Sequence, residues 1–126
     1  MMSTIKEVSE ETGITAYTLR YYEREGILPG VKRDESGNRF YDEESMEWLN
    51  FILALRSTGM PLSEIKQYVD WYLEGESTLA IRKQMMLDHR AKVEEDLRQT
   101  YKYLEQINYK LALYDMQEKG LMKMLP

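Results

Sequence analysis

Four side chains in the stretch Thr15–Gly26 can do chemistry together. Tyr17, Arg20, Tyr21 and Arg24 recur at i, i+3, i+4 and i+7, which places them on one face of a helix. That face carries two guanidinium forks and two phenol hydroxyls, all able to donate hydrogen bonds to phosphate oxygens or base edges. Leu19 and Tyr22 gather on the opposite side, where they can dock the helix on a small core. Gly26 suits the left-handed turn that ends many helices. Taken alone, such a stretch reads equally well as a solvated helix surface, so the elements around it decide.

Those elements begin at Thr4, which with Glu7 three residues later forms a capping-box pattern that opens a first helix. Gly13 closes that helix, and Thr15 caps the next one almost at once. Two short helices joined by a tight glycine turn, the second bearing the Arg/Tyr face, predict a helix-turn-helix; a generic helical hairpin is the alternative. Residues 27–41 contain too many breakers for a helix and read as two short strands, Val31–Arg33 and Arg39–Tyr41, around Ser36-Gly37-Asn38. A hairpin placed there is a wing, with Lys32, Arg33 and Arg39 available to phosphates and with Asp34 and Glu35 turning its tip away from them.

Asp42 and Ser45 predict the cap of a third helix, apolar nearly all round, in which Trp48 and Phe51 read as core. Pro61 opens a fourth, ending at Glu74-Gly75-Glu76. From Thr78 to Lys119 neither proline nor glycine interrupts the chain, which as one helix would be about 60 Å long. Val93, Thr100, Ile107 and Tyr114 occupy one heptad position; Leu97, Leu104 and Leu111 occupy the other. Such a stripe calls for a second copy, and Val93, Leu97, Leu104, Ile107, Leu111 and Tyr114 are the expected dimer contacts. The expected division is a DNA-binding domain over 1–76, a dimerisation helix over 77–119 and a loose tail over 120–126. The fold class expected is mainly α, a winged helix-turn-helix followed by a long antiparallel coiled-coil helix.

The chain has 126 residues, a formal net charge of −5 and no cysteine. Disulfides, thiolate metal sites and redox-sensing thiols are therefore excluded. The acid is concentrated centrally: residues 42–76 hold eight acidic and two basic side chains, whereas residues 1–41 hold seven and six. A duplex responds to the local face more than to the global sum. No run approaches the roughly 18–20 apolar residues of a membrane span, and a signal-peptide pattern is lacking, so a cytosolic location is expected. Neither a nucleophile–base arrangement, a phosphate-cradling glycine loop nor metal-ligand spacing is present, so no enzyme, metal or cofactor is expected.

Thr18-Leu19-Arg20-Tyr21-Tyr22-Glu23, then Gly26-Ile27-Leu28-Pro29, Gly37-Asn38-Arg39-Phe40-Tyr41, Leu55-Arg56 with Gly59, and Leu62-Ser63-Glu64-Ile65-Lys66 together resemble the MerR family of bacterial transcription regulators. The resemblance implies a dimer on a pseudo-palindromic promoter operator. It also implies that effector binding distorts the DNA to realign promoter elements for RNA polymerase. By position it implies that Arg20 and Tyr21 contact the major groove and phosphates, that Tyr22 sits at the core edge with its hydroxyl near a phosphate, and that Arg39, Tyr41 and Arg33 act from the wing. Thr15, Tyr17 and Thr18 lie near the groove end of the helix. Asn38, where the family usually has tyrosine, and the acidic pair Asp34-Glu35 depart from the pattern. For the effector, a small apolar or aromatic ligand between the fourth and long helices would be lined by Tyr68, Trp71, Tyr72, Met85, Met86, His89 and Tyr101, residues that ordinary packing also explains. An excisionase-like DNA-bending factor and a coiled-coil interaction module are the rival readings.

Overall fold

The computed structural model describes residues 2–121. Thr4 does two jobs at the start of the chain. With Ser3 it forms a short strand, β1 (Ser3–Thr4), and its hydroxyl accepts the Glu7 N–H at 3.1 Å while Glu7 Oε1 accepts the Thr4 N–H at 2.9 Å. That reciprocal cap opens α1 (Ile5–Thr12) and holds the Glu7 carboxyl below its ordinary pKa. Gly13, at φ 77°, then bends the chain through the left-handed region where a Cβ would be strained. Thr15 caps α2 (Ala16–Arg24), so the helix-turn-helix forms as expected.

β2 (Lys32–Arg33) and β3 (Arg39–Tyr41) make the wing hairpin, with Lys32 opposite Phe40 and Arg33 opposite Arg39. Asp34 organises its turn: the carboxylate accepts the N–H groups of Ser36 and Asn38, both at 2.9 Å. The acidic tip is thus partly a turn device. β1 adds to the outer side of β3, giving the strand order β1-β3-β2, all antiparallel. β1 is not among the elements expected above, because two residues carry no measurable alternation.

Asp42 caps α3 (Glu43–Ser57) by accepting the Ser45 N–H at 2.9 Å, and the buried Ser45 hydroxyl donates to the Gly30 carbonyl at 2.6 Å. The Ser45 N–H and hydroxyl, with Lys32 3.4 Å away, lower the Asp42 pKa to about 2 from its ordinary 3.8. Stability from this group is present above the unfolded value near 3.8 and is lost as pH falls through about 2. Thermal melts of Asp42→Asn between pH 7 and pH 2 are therefore expected to show a lower Tm than the parent at pH 7, with the gap closing as acid protonates the parent. A gap that is constant with pH would mean that the cap acts without its charge.

Pro61 opens α4 (Leu62–Glu74), followed by a single 3₁₀ turn (Glu76–Thr78) and α5 (Leu79–Glu118). Val8, Leu19, Tyr41, Leu49, Ile52 and Ile65 are fully buried and join α1, α2, the wing and α3–α4 in one core. Compactness divides the chain into Met1–Met86 and Leu87–Pro126. The division falls beyond the expected 76/77 boundary because Met85 and Met86, within α5, still pack on the first core. In the second unit the stripe is bare: Leu97, Leu104, Ile107, Leu111 and Tyr114 are all between 43% and 57% exposed. The tail expected over 120–126 lies, past Leu121, outside the described residues. Among the described residues no helix is long and apolar enough to cross a membrane.

Candidate nucleic-acid interface

α2 presents the face that its spacing predicts. Tyr17 is 72% exposed, Arg20 and Arg24 are exposed and Tyr21 is half-buried, while Leu19 and Tyr22 are buried behind them. The Arg24 guanidinium stands 5.8 Å from the centre of the Tyr21 ring. Arg20 has no ion pair among the described residues. Thr15 and Thr18 face each other at the open end of the helix: the Thr15 hydroxyl accepts the Thr18 N–H at 3.1 Å and lies 3.0 Å from the Thr18 hydroxyl. Their side chains are exposed or half-exposed, with the Thr15 oxygen already engaged as the cap.

The wing is tied to this helix by a residue that the sequence did not single out. Glu23, one turn after Arg20, pairs with Arg39 Nε through Oε1 and with Arg33 through Oε2 at 3.5 Å. Arg33 also donates to the Gly37 carbonyl at 3.0 Å. One carboxylate therefore gathers two wing guanidiniums beside α2. Charge-assisted pairs of this kind hold direction as well as distance. Helix periodicity cannot reveal a partner ten or sixteen residues away.

Two of the expected contact residues are buried. Tyr41, expected to act from the wing, is 0% exposed; its ring closes the core beneath β3. Its hydroxyl has no hydrogen-bond partner among the described residues, and burial, then the Glu23 charge, push its pKa up. Alternation explains this, since Phe40 and Tyr41 must face opposite sides of a strand. Tyr22, expected at the core edge, is 8% exposed and packs in the same core.

The expected effector residues are not all brought together. Tyr68 and Tyr72 line an open groove of about 480 Å³ with Trp48 and Phe51 of α3 and Arg82 of α5. The groove thus lies on α3–α4, and Trp48 and Phe51, expected only as core, contribute its floor. Met85 and Met86 pack on the core instead, and Trp71 supplies a backbone carbonyl to Thr78. His89 and Tyr101 belong to the second unit. Among the described residues no group of three or more histidine or carboxylate side chains is placed to hold a metal.

Residues 3–70 match the family described as MerR HTH family regulatory protein, and residues 46–108 match that described as MerR, DNA binding. An uncharacterised HTH-type transcriptional regulator of Haemophilus influenzae is 37% identical over 114 residues, covering 90% of this chain and 84% of that protein. The HTH-type transcriptional regulator AdhR of Bacillus subtilis is 42% identical over 91 residues, covering 72% of this chain but 65% of AdhR. Among solved structures, HiNmlR, a MerR family regulator lacking the sensor domain and bound to promoter DNA, superposes with a TM-score of 0.86 at 35% identity, covering 94% of each chain.

Proposed function

This chain belongs to the MerR family of helix-turn-helix regulatory proteins, and we propose that it works as a homodimer that grips promoter DNA with α2 and the wing and changes transcription by distorting that DNA. That it is a DNA-binding transcriptional regulator follows from the family and from its likeness to a regulator solved on promoter DNA. The finer assignments are our reading. Arg20 and Tyr21, with Tyr17 and Thr18 at the helix's open end, read base edges and neighbouring phosphates. Arg33 and Arg39, held by Glu23, contact the backbone beside the groove and fix register. Tyr22 and Tyr41 support that surface from within the core.

The observation that carries this reading is the Glu23 clamp. It holds two wing guanidiniums, those of Arg33 and Arg39, against a carboxylate of α2, the helix that also carries the exposed Arg20 and Arg24. That concentration of positive charge survives an overall charge of −5. The bare stripe of α5 supports pairing with a second copy, and two-fold symmetry would then match a pseudo-palindromic site. A promoter-bound regulator of this kind acts in the cytoplasm beside RNA polymerase. A small effector shifts it only if it binds the activating state more tightly than the repressing one.

Fluorescence anisotropy on the DNA upstream of its own gene, against scrambled duplex across a salt series, tests the reading. Binding roughly 10³-fold tighter than to the scrambled duplex at physiological salt is the expected result. Equal binding to both duplexes that vanishes with salt would leave only counterion release and favour an architectural role.

A further inference from the structure

The groove on α3–α4 has a composition that ordinary core packing does not require. On α3, Glu44, Glu47, Trp48 and Phe51 follow the i, i+3, i+4, i+7 spacing, so two carboxylates border two aromatic rings on one face. On α4, Tyr68 and Tyr72 are one turn apart and face them. The Trp48 ring meets Tyr72 edge-on at 4.7 Å and Tyr68 at 6.3 Å, and Phe51 lies 5.6 Å from Tyr68. Tyr72 nevertheless stays 42% exposed.

This aromatic cluster already holds a cation. The Arg82 guanidinium stands 5.5 Å from the centre of the Tyr72 ring. The same side chain locks the α4–α5 junction. Its Nε donates to the Thr78 hydroxyl at 2.9 Å and its terminal nitrogen to the Gly75 carbonyl at 3.3 Å. The Thr78 hydroxyl in turn lies 2.8 Å from the Gly75 carbonyl, and Gly75 sits at φ 99°, where only glycine is comfortable.

Charge selects the occupant. Glu44 is 3.6 Å from Lys32 and so partly compensated, whereas Glu47 has no ion pair among the described residues. Aromatic faces attract cations through their quadrupoles, and carboxylates at the rim add to that attraction while opposing an anion. We propose that this groove binds a small organic cation, such as an aromatic quaternary ammonium, which displaces Arg82 from the face of Tyr72 and thereby loosens the α4–α5 junction. The inference deepens the effector part of the reading above and rests on it. Arg82 then acts as a built-in competitor: it occupies the site when ligand is absent and ties occupancy to the junction.

The test uses the full chain and benzyltrimethylammonium as probe, followed by calorimetry, with neutral benzyl alcohol as control. Saturable binding of the cation and none of the alcohol is expected. Tyr72→Leu is expected to weaken binding about tenfold and Glu47→Gln about threefold, while Arg82→Gln tightens it about threefold by removing the competitor. A residue with a merely structural role would not improve binding when removed. Hydrogen exchange at the amides of residues 75–82 is expected to quicken at saturation. Absence of binding to both the parent and Arg82→Gln overturns the site, as does equal binding of the neutral control. Unchanged exchange at saturation overturns the coupling to the junction. If the groove is instead an interface between copies, Tyr72→Leu shifts the sedimentation equilibrium and the cation fails to bind, which also overturns the proposal. Operator anisotropy on the same samples separates the two levels: intact operator binding without cation binding removes only this site, whereas loss of specific operator binding removes the regulator reading itself.

Discussion

Arg20→Ala is expected to remove specific operator binding while leaving the protein folded and dimeric. Arg20 is exposed, has no ion pair among the described residues and projects from the same face as Tyr17 and Arg24. Its loss therefore costs the core nothing. A guanidinium bidentate to a guanine edge contributes about 1–3 kcal/mol of discrimination, and a two-fold dimer loses that contact twice, so about 2–6 kcal/mol in all. Anisotropy against operator and scrambled duplex is the measurement, with circular dichroism and sedimentation as controls. Because Glu23 still holds Arg33 and Arg39 against α2, weak salt-sensitive binding to both duplexes should remain. Undiminished operator affinity in this variant would take α2 out of the recognition role and leave the wing as the reader.

The second large effect is expected from Leu104→Asp, which should convert the dimer to 15.0 kDa monomers in sedimentation. Leu104 stands between Leu97 and Leu111 on the exposed stripe of α5 and is itself 46% exposed in the single chain. Removing a leucine from a packed seam costs about 2–5 kcal/mol per copy, before the price of burying a carboxylate without a partner. In an antiparallel pair, central positions of the two helices lie close together, so the two new aspartates would also repel. A monomer should keep a folded Met1–Met86 unit, whose core does not include Leu104. It should lose most operator affinity, because two half-sites are then bound independently. A stable dimer in Leu104→Asp would place the interface on another face of α5.

The acid dependence expected for Asp42→Asn is smaller but bears on the same machinery. Asp42 lies between β3 and α3 as the helix cap, and Lys32 of β2 reaches it, so the cap also ties the wing to α3. Lys32 thus pairs with Asp42 and Glu44 as Arg33 and Arg39 pair with Glu23, so every basic side chain of the two wing strands is anchored to a neighbouring helix or its cap.

What the amino-acid order alone determined about this protein was whatever depends on neighbours within a turn or two of helix. Thr4 with Glu7, Thr15 before α2, and Asp42 with Ser45 mark helix starts because a cap is a contact across three residues. The Arg20 face and the Leu97–Leu104–Leu111 stripe were legible for the same reason: both are periodicities of one helix. The tertiary structure decided whatever depends on distant residues meeting. It paired Glu23 with Arg33 and Arg39, drew Tyr41 into the core, added β1 to the edge of the wing and set Trp48 against Tyr72 with Arg82 above it. Apart from Tyr41, whose side follows from strand alternation once the core face is known, none of these leaves a periodic trace, because each is selected by packing between distant elements and by the need of a half-buried charge for a partner.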